Sequence, residues 1–260
     1  MEYETLIVET KDQIGRITLN RPKAMNALNT AMIRELGNVL ESIEKDPQVQ
    51  VVIITGAGDK AFSAGADLKE IEALKIKGAF DYSRAAHRVF SRIEQFGKPV
   101  IACINGLSLG GGAELALSCH LKVASEKAKI GFPEAGLGGI PGMGGTQRLP
   151  RLVGRSAALF YLLTGDMIGA EKGLQLGLIH KTAGTEEVMA EAEKMAKSLL
   201  GKSPLSLKFI IQAVTSGMEG HLEEGLVLES ALMTAMSSSE DSNEGIKAIF
   251  ERRPPQFKGE

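Results

Sequence analysis

Cysteine is scarce in this chain: its 260 residues contain two, Cys103 and Cys119. Two cysteines cannot form a disulfide framework, and no histidine stands at zinc-site spacing from them. Both are expected as buried, reduced thiols in an intracellular compartment. Net charge is nearly absent as well. Thirty Lys and Arg against 32 Asp and Glu leave a formal charge of -2, which argues against a nucleic-acid partner, since that partner asks for a basic face. No apolar run reaches the length of a membrane span. The N-terminal "MEYETLIVETKDQIGRITLNRP" lacks the basic start and apolar core of a signal peptide. The expectation is a cytoplasmic protein with no membrane partner. Catalytic signatures are missing too. There is no G-x-x-x-x-G-K-[ST] to cradle phosphates and no G-x-S-x-G to present a nucleophilic serine. "GLGGIPGMGG" comes too late, and in the wrong context, for a dinucleotide fold. His87, His120, His180 and His221 are scattered without ligand spacing, so no metal site is expected.

What is present alternates. "TLIVET" and "IGRITLN" are short β-branched runs that read as strands. "TAMIRELGNVLESIEKD" places Met32, Ile33, Leu36, Leu40 and Ile43 on one helical face, with Asn29 or Thr30 as N-cap. "VQVVIITGAG" and "KPVIACING" are continuous apolar runs closed by glycine, predicted as buried strands. The intervening "FDYSRAAHRVFSRIEQF" is predicted as a helix, and "LKVASEKAKIGF" as a strand with a turn. Strands alternating with helices argue for an α/β fold. A strand, a glycine-rich loop and a helix start recur at "IITGAGDKAFSAGADLKE", at "ACINGLSLGGGAELAL" and, less sharply, at "IGFPEAGLGGIPGMGGTQRL". That repeat suggests turns of a spiral rather than tandem domains. After Gly154 the chain reads as successive helices, interrupted by one short strand, "GLIHKT". The expected organisation is a core over residues 1–195 and a helical oligomerisation region over 196–260.

Glycine is concentrated where chemistry is expected. Of 30 glycines, 11 fall between Gly106 and Gly145. Such clustering costs backbone order, so it needs a reason: tight turns, or backbone N–H groups that must approach a ligand. Helix N-termini behind glycine loops leave donors unpaired and carry positive potential. Two loops have this form, "FSAGADLKE" with Ala66 and "LGGGAE" with Gly111. Together they could supply two donors to a developing oxyanion. Two acids stand beside them. Glu114 and Glu134 lie among apolar and glycine residues with no adjacent Lys or Arg, surroundings that raise a carboxyl pKa and suit acid–base work near neutrality. Carboxyls sharing a site can also divide their protonation states. Asp67 is expected to cap the helix that follows it.

The segments "NRPKAMNAL", "AFSAGADLKE", "PVIACINGLSLGGGAELALSCHLKVAS", "GFPEAGLGGIPGMGGTQRLPRLVG" and "EGIKAIFERRPPQFKGE" together resemble the enoyl-CoA hydratase/isomerase (crotonase) superfamily, essentially end to end. The resemblance implies an α/β, crotonase-like ββα spiral core whose C-terminal helices make trimer contacts, with two trimers stacking into a hexamer. It implies an acyl-CoA thioester substrate and no cofactor beyond the coenzyme A that the substrate carries. Ala66 and Gly111 match the family's oxyanion donors, and Glu114 and Glu134 match its catalytic glutamates. Gly142 matches a position beside the active-site water. The CoA moiety is expected along Lys23, Ala24, Met25 and Leu28 and along Ala64, Gly65, Asp67, Leu68 and Lys69. Gly110 and Pro133 are expected among the substrate contacts, and Arg252 is a phosphate contact that could reach a neighbouring subunit. Retention of both glutamates points to syn hydration of a 2-enoyl-CoA. The alternatives are a branched-chain (methylglutaconyl-type) hydratase, a Δ3,Δ2-enoyl-CoA isomerase, or a nonenzymatic RNA- or protein-binding scaffold. His120 stands where many relatives carry Asp, beyond the catalytic segment, with no change in chemistry expected; Arg252 stands where Lys is usual, which keeps the charge but with a different contact geometry.

Overall fold

A computed structural model describes residues 3–260. In chain order the strands are β1 (Leu6–Lys11), β2 (Ile14–Leu19), β3 (Val51–Gly56), β4 (Ala61–Ser63), β5 (Val100–Ile104), β6 (Leu107–Leu109), β7 (Leu121–Ser125), β8 (Lys129–Gly131), β9 (Ile168–Gly169) and β10 (Lys181–Ala183). The α-helices are α1 (Thr30–Lys45), α2 (Leu68–Ala73), α3 (Ile76–Glu94), α4 (Gly111–Ser118), α5 (Gly145–Val153), α6 (Arg155–Thr164), α7 (Ala170–Gln175), α8 (Val188–Leu200), α9 (Pro204–Gly217), α10 (Leu222–Ser237) and α11 (Glu240–Glu251).

The strands form two sheets. One has the order β1-β2-β3-β5-β7-β10, and the other β4-β6-β8-β9. From β2 to β10 the large sheet is parallel. The successive pairs β3/β4, β5/β6 and β7/β8 each send one strand to the large sheet and one to the small. This is the ββα spiral that the repeating glycine loops suggest. Its consequence is geometric: the exits of β4, β6 and β8, one turn apart in the spiral, stack beside one another in the small sheet.

The continuous apolar runs have a clear cause. In β3 and β5 every residue is buried, because the sheet is covered on both faces. Val52, Ile54, Val100 and Ala102 face the main core with α1 and α3, while Val51, Ile53, Ile101 and Cys103 face a second core closed by Val188, Ala192 and Ala196 of α8. In α1 the five residues anticipated on one face are all buried, and the Asn29 side chain caps it by accepting from the Met32 N–H. Both cysteines are buried and free.

Three elements differ from the sequence expectations. The segment read as one strand with a turn is two strands, β7 and β8, in different sheets. The short strand expected at 177–182 is confined to β10, because residues 170–175 and the turn after them hold the preceding stretch. The expected boundary after residue 195 falls inside α8, whose Ala196 is fully buried in the second core. Beyond the turn at 201–203, no residue of α9 or α10 is fully buried within the chain.

Candidate active site

The exits of β4 and β6 bring two backbone N–H groups together. Leu28 and Ala66 form an isolated parallel bridge. The Leu28 N–H donates to the Gly65 carbonyl (2.7 Å), and the Asp67 N–H donates to the Leu28 carbonyl (2.9 Å). Strand alternation then turns the N–H of Ala66 itself to the opposite side. A Cβ on Gly65 would lie 3.2 Å from the Gly111 nitrogen, and one on Gly111 would lie 3.4 Å from the Ala66 nitrogen. The two nitrogens are therefore neighbours, and neither N–H has a partner among the described residues. Gly111 also opens α4, so the unpaired donors of that helix add positive potential there.

The triple glycine divides its labour. Gly110 sits at φ 46°, ψ -120°, which side chains disfavour. A Cβ on it would meet Glu134 Oε1 at 2.7 Å. A Cβ on Gly112 would lie 2.3 Å from the Ser63 carbonyl oxygen, so only glycine lets α4 start against the end of β4.

Glu114, on the first turn of α4, is 1% exposed. Its Oε1 accepts the N–H groups of Met143 (2.8 Å) and Gly145 (2.7 Å). Burial pushes its carboxyl up to about 7, against the pull of those two donors and of Arg148; Glu134 pushes the same way as burial. Glu134 follows β8 in a short 3-10 turn, Pro133–Leu137. Its Oε2 is buried without a hydrogen-bond partner, and burial raises its pKa also.

A cleft of about 850 Å³ joins these groups. Ala66, Gly111, Glu114 and Glu134 line it together with Lys23, Ala24, Met25, Ala64, Gly65, Asp67, Leu68, Lys69, Gly110, Pro133 and Gly142. Asp67 caps α2, accepting from the Lys69 N–H. It also pairs with Arg21 (2.8 Å), and this bond is the main reason its pKa is lowered. One sequence expectation is corrected. Leu28 does not line the cleft: its side chain is wholly buried in the main core, and its contribution is the backbone bridge that orients Ala66. Arg252 caps α11 in a left-handed conformation and lies outside the cleft of its own chain. His120 is outside it as well, a half-buried ring whose desolvation lowers its pKa to about 4; its Nδ1 accepts from the Val100 N–H and its Nε2 bonds the Glu94 carbonyl.

Sequence reasoning did not single out Tyr82, Met143 or Arg148. Tyr82 is a buried wall residue whose hydroxyl donates to the Leu28 carbonyl (2.6 Å). Met143 places its thioether against Gly111 and its N–H on Glu114. Tyr82 could have been found as the apolar-face aromatic of a predicted helix; Met143 carried no signal outside its motif.

Two sheets wound as a ββα spiral, with two carboxyls facing a pair of free backbone donors, define a protein that stabilises an oxyanion while moving protons at neighbouring atoms. Comparison with known proteins gives the family. Its model, described as Enoyl-CoA hydratase/isomerase, matches residues 9–260. A crotonyl-CoA hydratase of Syntrophomonas wolfei is 40% identical over 257 residues, covering 99% of each chain. A short-chain-enoyl-CoA hydratase of Clostridium acetobutylicum is 40% identical, covering 97% of each. The crystal structure of an enoyl-CoA hydratase from Bacillus anthracis superposes with a TM-score of 0.95 at 36% identity, covering 99% of this chain and 100% of that one. This chain belongs to the enoyl-CoA hydratase/isomerase family.

Proposed function

We propose that the protein is an enoyl-CoA hydratase that adds water reversibly across the double bond of a short 2-enoyl-CoA, giving the 3-hydroxyacyl-CoA. The observation that carries this reading is the meeting, in one cleft, of two unpartnered N–H groups with two carboxyls of raised pKa. The thioester oxygen is held by Ala66 and Gly111, whose donors strengthen as the oxygen gains enolate charge. Glu114 takes a proton from water as it attacks the β carbon, and Glu134 delivers a proton to the α carbon. Two backbone donors favour the anion at Glu114, whereas the buried, partnerless Oε2 of Glu134 favours its protonated form. Burial opposes the anion at Glu114 and keeps it near neutrality, where it can both take and return a proton. The reaction drawn this way calls on no metal or redox cofactor.

The long apolar cleft floor and the exposed Lys23 and Lys69 at its edge suit an acyl chain joined to a phosphate-bearing carrier. The test is turnover of crotonyl-CoA, followed by loss of the conjugated enoyl-thioester absorbance. Wild type should turn over, and Glu114→Gln and Glu134→Gln should each lose several orders of magnitude. Wild-type inertness, or a near-wild-type rate in either variant, would reject the assignment.

We further propose a homotrimer or a dimer of trimers. Helices α9 and α10 have no fully buried residue within the chain, and they and the cap between them leave Ile210, Val214, Met218, Leu226, Val227 and Met233 exposed, a surface that a second copy would cover. In that assembly Arg252, remote from its own cleft, would be available to a neighbour's substrate phosphates. Among the described residues no helix is long and apolar enough to cross a membrane. The two free thiols fit a cytoplasmic setting.

A further inference from the structure

Glu114 is aimed by a loop, and side chains tie that loop to α3, Arg148 foremost among them. The two N–H groups that bind Glu114 Oε1 belong to Met143 and Gly145, and Arg148, a turn into α5, reaches back across them. Its Nη1 donates to the Met143 carbonyl (3.1 Å), while its Nη2 donates to Glu94 Oε2 (2.7 Å) and Ser91 Oγ (3.2 Å), both on α3. The Nη1 end of the guanidinium comes up against Gly144, at φ 116°, where any Cβ would collide with Nη1. The other end of the loop is tied to the same helix, because Ser83 Oγ donates to the Gly142 carbonyl (2.5 Å). Only 11% of the Arg148 side chain is exposed, so its charge reaches the cleft little screened. The other charged or titratable groups around Glu114 are Glu134, from the 3-10 turn, and Tyr82, from α3; His87, also on α3, faces Arg148 and the Gly142 backbone.

We propose that Arg148 is a positioning residue for the hydration step, clamping residues 142–145 to α3 so that two N–H groups grip one oxygen of Glu114 while the carboxyl stays in the cleft as a base. The planar fork matters, because one arm serves the loop and the other serves α3; a lysine ammonium keeps the charge but not this geometry. The fork fixes direction, and the charge favours the carboxylate. A one-ångström error in such a group is enough to slow a reaction by roughly a hundredfold.

The proposal uses the hydratase reading for its assay, and the experiment separates the two. For Arg148→Met, folded and with the wild-type oligomeric state, kcat on crotonyl-CoA should fall roughly ten- to hundredfold with KM little changed. The acid limb of the kcat/KM profile should move to higher pH. Arg148→Lys, the gentler variant should the first not fold, should lose kcat comparably while its acid limb stays near wild type. A purely structural ion pair would lower thermal stability and leave the limb of both variants in place. A folded Arg148→Met with wild-type kcat, or an Arg148→Lys with full kcat, overturns the proposal. The Glu114 carboxyl is also followed by carbon NMR titration in wild type and Arg148→Met. It should titrate higher in the variant, and an unchanged titration counts against Arg148. If wild type proves inert toward enoyl-CoA, the hydratase reading falls and this titration alone decides the role of Arg148.

Discussion

Replacing Glu114 by glutamine should make the protein slower and make its stability relative to wild type rise with pH. Glutamine keeps the shape, and its amide oxygen can still accept from Met143 and Gly145. What it removes is the buried negative charge. The folded-state carboxyl titrates near 7 instead of 4.5, which at 1.36 kcal/mol per pKa unit amounts to about 3 kcal/mol. Because the folded value is the raised one, the stability linked to the protonated carboxyl is fully present below 4.5 and is lost as pH rises through about 7. The variant lacks this loss. Its stability relative to wild type should therefore grow by about 3 kcal/mol between pH 4.5 and 8, whatever offset the amide introduces at acid pH. Urea unfolding at both pH values, at one protein concentration because association contributes, measures that change. Crotonyl-CoA hydration should fall roughly 10²–10⁴-fold. A stability difference that stays flat or narrows toward pH 8 would show that Glu114 is not held against its charge, and the base assignment would lose its physical ground.

Further outcomes test the remaining parts. Gly111→Pro deletes one oxyanion donor at the first helical position, where proline is tolerated, sets a ring carbon where that N–H pointed and presses its Cβ on the Met143 thioether; kcat should drop by at least roughly 10²–10³-fold with the helix retained, as read by circular dichroism and turnover. Gly112→Ala drives a methyl into the Ser63 carbonyl and should cost about 1–3 kcal/mol in denaturant unfolding, with activity falling as β4 and α4 separate. Leu226→Lys together with Val227→Lys, on the exposed face of α10, should shift the mass measured by light scattering from oligomer to monomer, and an unchanged mass would move the interface elsewhere.

The relation of sequence to structure differs from feature to feature. The face of α1 was readable because its 3.6-residue period is local, and the Asn29 cap because it needs only the adjacent turn. The runs at β3 and β5 were readable as buried strands, yet nothing in them says which alternate residues face α8 and which face α1. The segment after Leu121 reads as one strand with a turn because a turn between strands of one sheet and a step between two sheets share the same residues. Leu28 reads as a cleft residue because its neighbours in "KAMNAL" line the cleft; only the bridge to Ala66 shows that the backbone, not the side chain, is what the site uses.

By itself the sequence determined the α/β alternation, the clustering of glycine, and two carboxyls set in apolar surroundings, for these depend on neighbours along the chain. Only the tertiary structure decided that Ala66 and Gly111 point their free N–H groups to one place, that Oε1 of Glu114 takes two donors while Oε2 of Glu134 takes none, and that Arg148 spans the loop and α3. Those are relations between turns of the spiral tens of residues apart, and they exist only once the small sheet has stacked the strand exits side by side.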